Sequence, residues 1–211
     1  MCFLAQNLLF RLYINTFIKN NKDYLELMNK NNTIGIIGVG SFTLDFAQRS
    51  ADFGYKVLIS ATDCNHRIKN TAEKIGENVK ISTIQETAAL SDIIVLFLPK
   101  ERLKEIITEM PDLSNKIIIH HNYLISSGIP ISKDFYKNTA AQTLASLLPN
   151  SHIIKVYSLL ESSGNSSKNK NDAKTLYYTT NNLQAGERVK NLLIILNFTV
   201  FNLLELSELN M

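Results

Sequence analysis

Cysteine is nearly absent from this chain: Cys2 and Cys64 are the only two. They give no disulfide framework and no metal-ligand spacing. A reducing setting, the cytoplasm, is the expected one. Strong charge of either sign is also lacking. The net charge is +3, and the lysines and arginines are scattered, with no basic block interleaved with aromatics. A nucleic-acid partner is therefore not expected. There is no long apolar run. The N-terminal stretch "MCFLAQNLLFRLYINTFIKN" is broken by Arg11 and Lys19 and is too short to span a bilayer. No basic region precedes it and no small-residue cleavage site follows, which argues against a signal peptide. Residues 1–32 read as an extension, either an amphipathic helix or sequence upstream of a start at Met28, and Met28 is the slightly favoured start. No internal repeat and no nucleophile-elbow pattern is present.

What remains is ordinary globular composition, 45% hydrophobic and 19% charged over 211 residues. From residue 33 onward, strand and helix patterns alternate. "TIGIIG", "YKVLIS", "NVKIS", "DIIVLFLP" and "KIIIHHN" are short β-branched or apolar runs. Between them lie "SFTLDFAQRSADFG", "NHRIKNTAEKIG", "TIQETAALS" and "KERLKEIITEM", with apolar residues at helical spacing and glycine or proline stops. In the third of these, Thr83 and Glu86 form a capping-box pattern. The alternation continues through "KNTAAQTLASLLP", "SHIIKVYSLL", "AKTLYYTT", "LQAGERVKNLLIILN" and "FTVFNLL". A polar loop over residues 162–172 is a candidate lid. The expected fold is α/β and Rossmann-like. A mostly parallel sheet carries helices on both faces, in a single domain over residues 33–206 with an extended C-terminal strand–helix–strand. Residues 207–211 form a tail.

One stretch carries chemistry: "TIGIIGVGSFTLDF". Gly38 and Gly40 stand where a dinucleotide loop has its first two glycines. The first permits the tight turn, and the second lets the backbone approach a pyrophosphate. Amides at the following helix start would hold phosphate oxygens. The third glycine is missing, and Thr43 takes its place. Its branched side chain is expected to push the helix outward. The second strand ends at Ser60, where an NAD enzyme has an acid for the ribose diol. Ser60 and Thr62 offer hydroxyls, and Arg67 and Lys69 follow, so NADP(H) is favoured over NAD(H). A solvated role for those two cations is the plainer alternative. His120 and His121 alternate across a strand and so point to opposite faces. One of them could lie near a nicotinamide at the strand's carboxyl end, while a histidine capping the sheet edge is the plainer alternative.

The segments "IGIIGVGSFTLDFAQRSADFGYKVLIS", "SDIIVLFLPKERLKEII", "NKIIIHHNYL" and "NTAAQTLASLLPNSHIIKVYSLL" carry a family resemblance. The chain resembles the deazaflavin (coenzyme F420-type)-dependent NADP oxidoreductases and the related oxidoreductase domain of the STEAP metalloreductases. The resemblance implies an NADPH-binding domain that passes hydride to a flavin or deazaflavin. It assigns Gly38, Gly40, Ser41 and Phe42 to the pyrophosphate loop, and Leu98 and Pro99 to the segment beside the cofactor. The chain departs from the family pattern at Thr43, at Ala61–Thr62 for Ser-Arg, at His120 for an acid, and at Val156–Tyr157–Ser158 for Ala-Phe-Asn. The expected partner is a small-molecule dinucleotide, with no metal and no membrane span, and a homodimer stays open. Catalytic residues are not assigned, because in this family the reacting atoms belong to the cofactors. A dinucleotide-binding sensor without turnover is the alternative from another class, and a structural remnant that binds nothing is a weaker third.

Overall fold

The computed structural model describes residues 33–60, 66–124, 140–159 and 174–203. The Met28 start, the tail and the 162–172 loop lie outside the described residues. The chain runs β1 (Thr33–Ile37), α1 (Ser41–Asp52), β2 (Lys56–Ser60), α2 (His66–Ile75), β3 (Val79–Ile81), α3 (Ile84–Leu90) and β4 (Ile93–Leu96). It continues through α4 (Lys100–Thr108), β5 (Ile117–Leu124), α5 (Ala140–Leu147), β6 (His152–Leu159), β7 (Lys174–Thr180), α6 (Leu183–Ile195) and β8 (Phe198–Asn202). The strands form one eight-stranded sheet in the order β3-β2-β1-β4-β5-β6-β7-β8. All neighbours pair in parallel except β6 with β7. The Rossmann-like α/β fold expected from the sequence is the fold observed.

The strand order reverses between β1 and β4, as in doubly wound sheets where ligands gather at the carboxyl edge. Buried β-branched residues fill both sheet faces. On one face Ile34, Ile36, Val95, Ile119 and Val156 pack under α1 and α6 through Phe42, Phe46, Val189 and Leu192. On the other, Ile37, Ile94, Leu96 and Ile118 pack under α3, α4 and α5 through Ala88, Leu103, Ile106 and Leu144. Strands covered on both sides must be apolar throughout, which is why the sequence shows runs rather than alternation. The capping box at α3 is present: Thr83 Oγ1 accepts from the Glu86 N–H at 3.1 Å. Hydrogen bonds from Ser82 and from the Thr83 backbone hold the Glu86 carboxyl below its ordinary value.

β5 runs two residues past the Asn122 limit expected from sequence, to Leu124. Pairing explains the extension. β6 continues alongside it through Tyr123↔Ser158 and Leu124↔Leu159, well past the last β4 pair, Leu96↔His120. A two-stranded wall therefore rises beyond the carboxyl edge at the point where the β1–β4 half stops.

Candidate functional site

The glycine loop forms the corner where β1 meets α1. Gly38 has φ +93°, a conformation that needs glycine. Its N–H donates to the Ser60 carbonyl at 2.9 Å, tying the loop to the end of β2. An added Cβ would come within 2.0 Å of the Phe97 carbonyl oxygen, so the turn leaves no room for a side chain. Gly40 is the N-cap of α1, in extended conformation. An added Cβ there would meet the Phe97 ring at 2.5 Å. The open side of the second glycine, where a pyrophosphate would approach, is thus covered by an aromatic side chain.

Thr43 is fully buried. Where the sequence suggests a spacer, its hydroxyl works as a cap. Oγ1 accepts from the Gly40 N–H at 2.8 Å and lies 3.3 Å from the Gly38 carbonyl and 3.1 Å from the Gly40 carbonyl. One helix-start donor is thereby satisfied within the loop. Phe42 is buried and its ring stacks on His121, with centroids 3.8 Å apart and planes 6° from parallel. Phe97 approaches the same imidazole at 5.8 Å. His121 Nε2 also lies 3.0 Å from Ser158 Oγ. Burial, and then the neighbouring His120, push the His121 pKa down to about 3.

Ser60 ends β2 at the expected place, but its hydroxyl faces inward, 3.4 Å from the Ile36 carbonyl, on a fully buried residue. Thr62 and the side chain of Arg67 lie outside the described residues. Leu98 and Pro99 lead from β4 into α4, with Pro99 at its N-cap. His120 sits on the opposite sheet face from His121, as strand alternation requires. It is buried beside Lys155, its register partner on β6. Burial first, and then that lysine, lower the His120 pKa to about 4. Both histidines are therefore neutral at pH 7. The loop residues Gly38, Gly40, Ser41, Phe42 and Thr43 thus meet Leu98 and His121 at one corner, while His120 faces a second.

Two contributors went unassigned in the sequence. Phe97 gives no signal there, because its contact with Gly40 joins separate loops. Lys155 does give one, as a single cation in the otherwise apolar strand "HIIKVYSL".

Comparison with known proteins addresses the same segment. Residues 33–122 match the family described as NADP oxidoreductase, coenzyme F420-dependent. The family resemblance is borne out. The matching family is one of NAD(P)-dependent oxidoreductases. Human metalloreductase STEAP2 is 27% identical over 176 residues, 83% of this chain and 34% of that protein. The mouse protein is 26% identical over the same length. The chain thus spans about a third of the curated relatives it matches. Among solved structures, the hypothetical protein SMa0349 from Sinorhizobium meliloti has a TM-score of 0.62 at 19% identity, covering 82% of this chain and 84% of that one. Glycerol-3-phosphate dehydrogenase from Coxiella burnetii gives 0.59 at 15% identity, covering 82% of this chain and 54% of that one. An imine reductase from Aspergillus terreus, solved with NADPH4, gives 0.56 at 13%, covering 82% and 55%. These likenesses concern the fold. Among the described residues, no helix is long and apolar enough to cross a membrane, and no cluster of metal-ligating side chains occurs.

Proposed function

We propose that this protein is an NADP(H)-binding oxidoreductase that transfers hydride between NADPH and a flavin or deazaflavin acceptor. The observation that carries the reading is the β1–Gly38–Gly40–α1 corner at the reversal point of the sheet. There a tight glycine turn feeds a helix whose N-terminus is the favoured place for a pyrophosphate. The residues fit the dinucleotide with one adjustment. Gly38 supplies the turn, and amides from Ser41 onward supply donors and the positive helix end. The Phe97 ring must swing off Gly40 to open the cradle. Only a side chain moves, since the strands and the turn are already in place.

When bound, the dinucleotide supplies the hydride at its nicotinamide C4. The chain's own residues bind and orient it. Ser60 stands at the end of β2 in place of an acid, so among the described residues no carboxylate there repels a 2′-phosphate, which favours NADPH; Thr62 and Arg67 are the groups proposed to meet that phosphate. Leu98 and Pro99 border the path from the loop toward β5. His121, held by Phe42 and Ser158 and uncharged at neutral pH, contributes shape at the nicotinamide side and carries no proton in the reaction.

A second reading is favoured by the way Phe97 and Thr43 complete the corner without any ligand. In it, the protein binds the dinucleotide as a sensor and turns nothing over. The two separate in one assay, the loss of NADPH absorbance with FMN, riboflavin or a deazaflavin as acceptor. The oxidoreductase reading predicts NADPH consumption matched by acceptor reduction. NADPH that binds but survives all three acceptors supports the sensor.

A further inference from the structure

The second corner of the carboxyl edge holds a cation that the corner described above does not use. Ile37, Leu96, His120 and Lys155 are successive register partners across β1, β4, β5 and β6. In-register parallel neighbours share a sheet face, so Lys155 stands beside His120, three strand spacings or roughly 14 Å from the end of β1. It is 8% exposed. A buried ammonium is ordinarily paired with a carboxylate. Among the described residues the ion pairs are Arg49–Asp45, Lys174–Asp45, Arg102–Glu105 and Lys190–Glu187, and none involves Lys155. Lys155 in turn acts on its register neighbour His120, which burial and then that charge keep neutral. Exposed Asn122 lies next on the same face, its Nδ2 3.4 Å from His120 Nδ1. With that amide donating, His120 is the Nε2–H tautomer and keeps a donor of its own. The group therefore runs from a largely buried lysine through an imidazole donor to a solvent-facing amide.

The end of β2 marks the adenine-ribose side of a dinucleotide in this fold, so the nicotinamide half extends the other way, over β4 and β5. A molecule reacting with it comes to lie above β5 and β6. We propose that Lys155, His120 and Asn122 seat an anionic oxygen of the hydride acceptor; the inference rests on the oxidoreductase reading above. The chemistry balances. Hydride leaves nicotinamide C4 with its electron pair, NADP⁺ forms, and the acceptor gains one hydrogen and one negative charge. In a flavin the hydride goes to N5 and the charge appears at the N1–C2 carbonyl edge. An ammonium facing that edge favours the reduced anion over the oxidised ring. Burial also draws the Lys155 pKa below its ordinary value. An arriving anion reverses that cost.

The test compares wild type, Lys155→Met and Lys155→Arg as full chains with NADP⁺ bound, using FMN and riboflavin as probes. Lys155→Met keeps the apolar stem of a side chain that has no ion-pair partner among the described residues; its thermal midpoint verifies folding. Expected is about a tenfold loss of preference for the reduced flavin with both probes, read as a midpoint potential more negative by about 30 mV. Lys155→Arg should recover most of it. Unchanged potentials in a folded Lys155→Met protein overturn the inference. So does a loss confined to FMN, which would assign Lys155 to the phosphate tail, and so does absence of flavin binding by the wild type. NADPH titration of the same three proteins separates the two levels. Wild type that fails to bind NADPH defeats the oxidoreductase reading, whereas intact NADPH binding with unchanged flavin potentials defeats the role of Lys155 alone.

Discussion

The two corners of the carboxyl edge are built on opposite principles. At the glycine corner, Thr43 caps the Gly40 N–H, the Gly38 N–H is held by the Ser60 carbonyl, and the Phe97 ring covers Gly40. At the β5–β6 corner, Lys155 is buried with no ion-pair partner among the described residues, beside a neutral histidine. The first corner is complete as it stands, and under the proposed function it opens to bind. The second holds a lysine that has no ion-pair partner among the described residues. The two corners share one sheet edge, some three strands apart.

The largest expected effect tests how rigid the first corner is. Gly38→Ala places a side chain at positive φ, which costs about 1–2 kcal/mol for an L-residue. It also drives Cβ into the Phe97 carbonyl, a backbone atom that cannot turn aside. A drop of roughly 5 °C or more in the thermal midpoint is expected for a chain of this size. A midpoint within a degree of wild type would mean the turn is softer than its geometry.

Next comes acid sensitivity, which links the corners through the adjacent histidines. Both folded pKa values, about 4 for His120 and about 3 for His121, lie below the ordinary 6.5. The unfolded chain therefore binds more protons between these values, and stability rises with pH there. The contribution is complete above pH 6.5 and is lost as pH falls toward 3–4. Urea midpoints at pH 7, 5.5 and 4.5 should decline. His121→Phe, which keeps a ring on Phe42, should flatten the decline. An identical decline in the variant would assign it to other groups.

The smallest effect concerns the gate. Phe97→Ala removes the ring over Gly40 and should tighten NADPH binding a few-fold by equilibrium titration. Weaker binding would instead make Phe97 a stacking platform for the cofactor.

Sequence alone shows much of the first corner and little of the second, for physical reasons. "TIGIIG" and "DIIVLFLP" read as strands because both faces of a parallel sheet are buried. Gly38 and Gly40 are legible because a tight turn and a helix start are local demands. The opposite facing of His120 and His121 follows from the period of two. The stack of Phe42 on His121 joins residues nearly eighty positions apart in the chain, and nothing in either segment announces it. The cap by Thr43 replaces the expected outward push because the hydroxyl can reach back over a single turn. Pairing of Lys155 with His120 depends on strand register, which composition does not encode.

Whether a dinucleotide binds at the Gly38–Thr43 loop is read by fluorescence titration of NADPH and NADH into wild type and Gly40→Val. A bulky group at Gly40 displaces the Phe97 ring and fills the approach reserved for the pyrophosphate. Wild type should bind NADPH more tightly than NADH, and Gly40→Val, still folded, should lose at least tenfold in NADPH affinity. Equal NADPH binding by both proteins would contradict a dinucleotide at this loop.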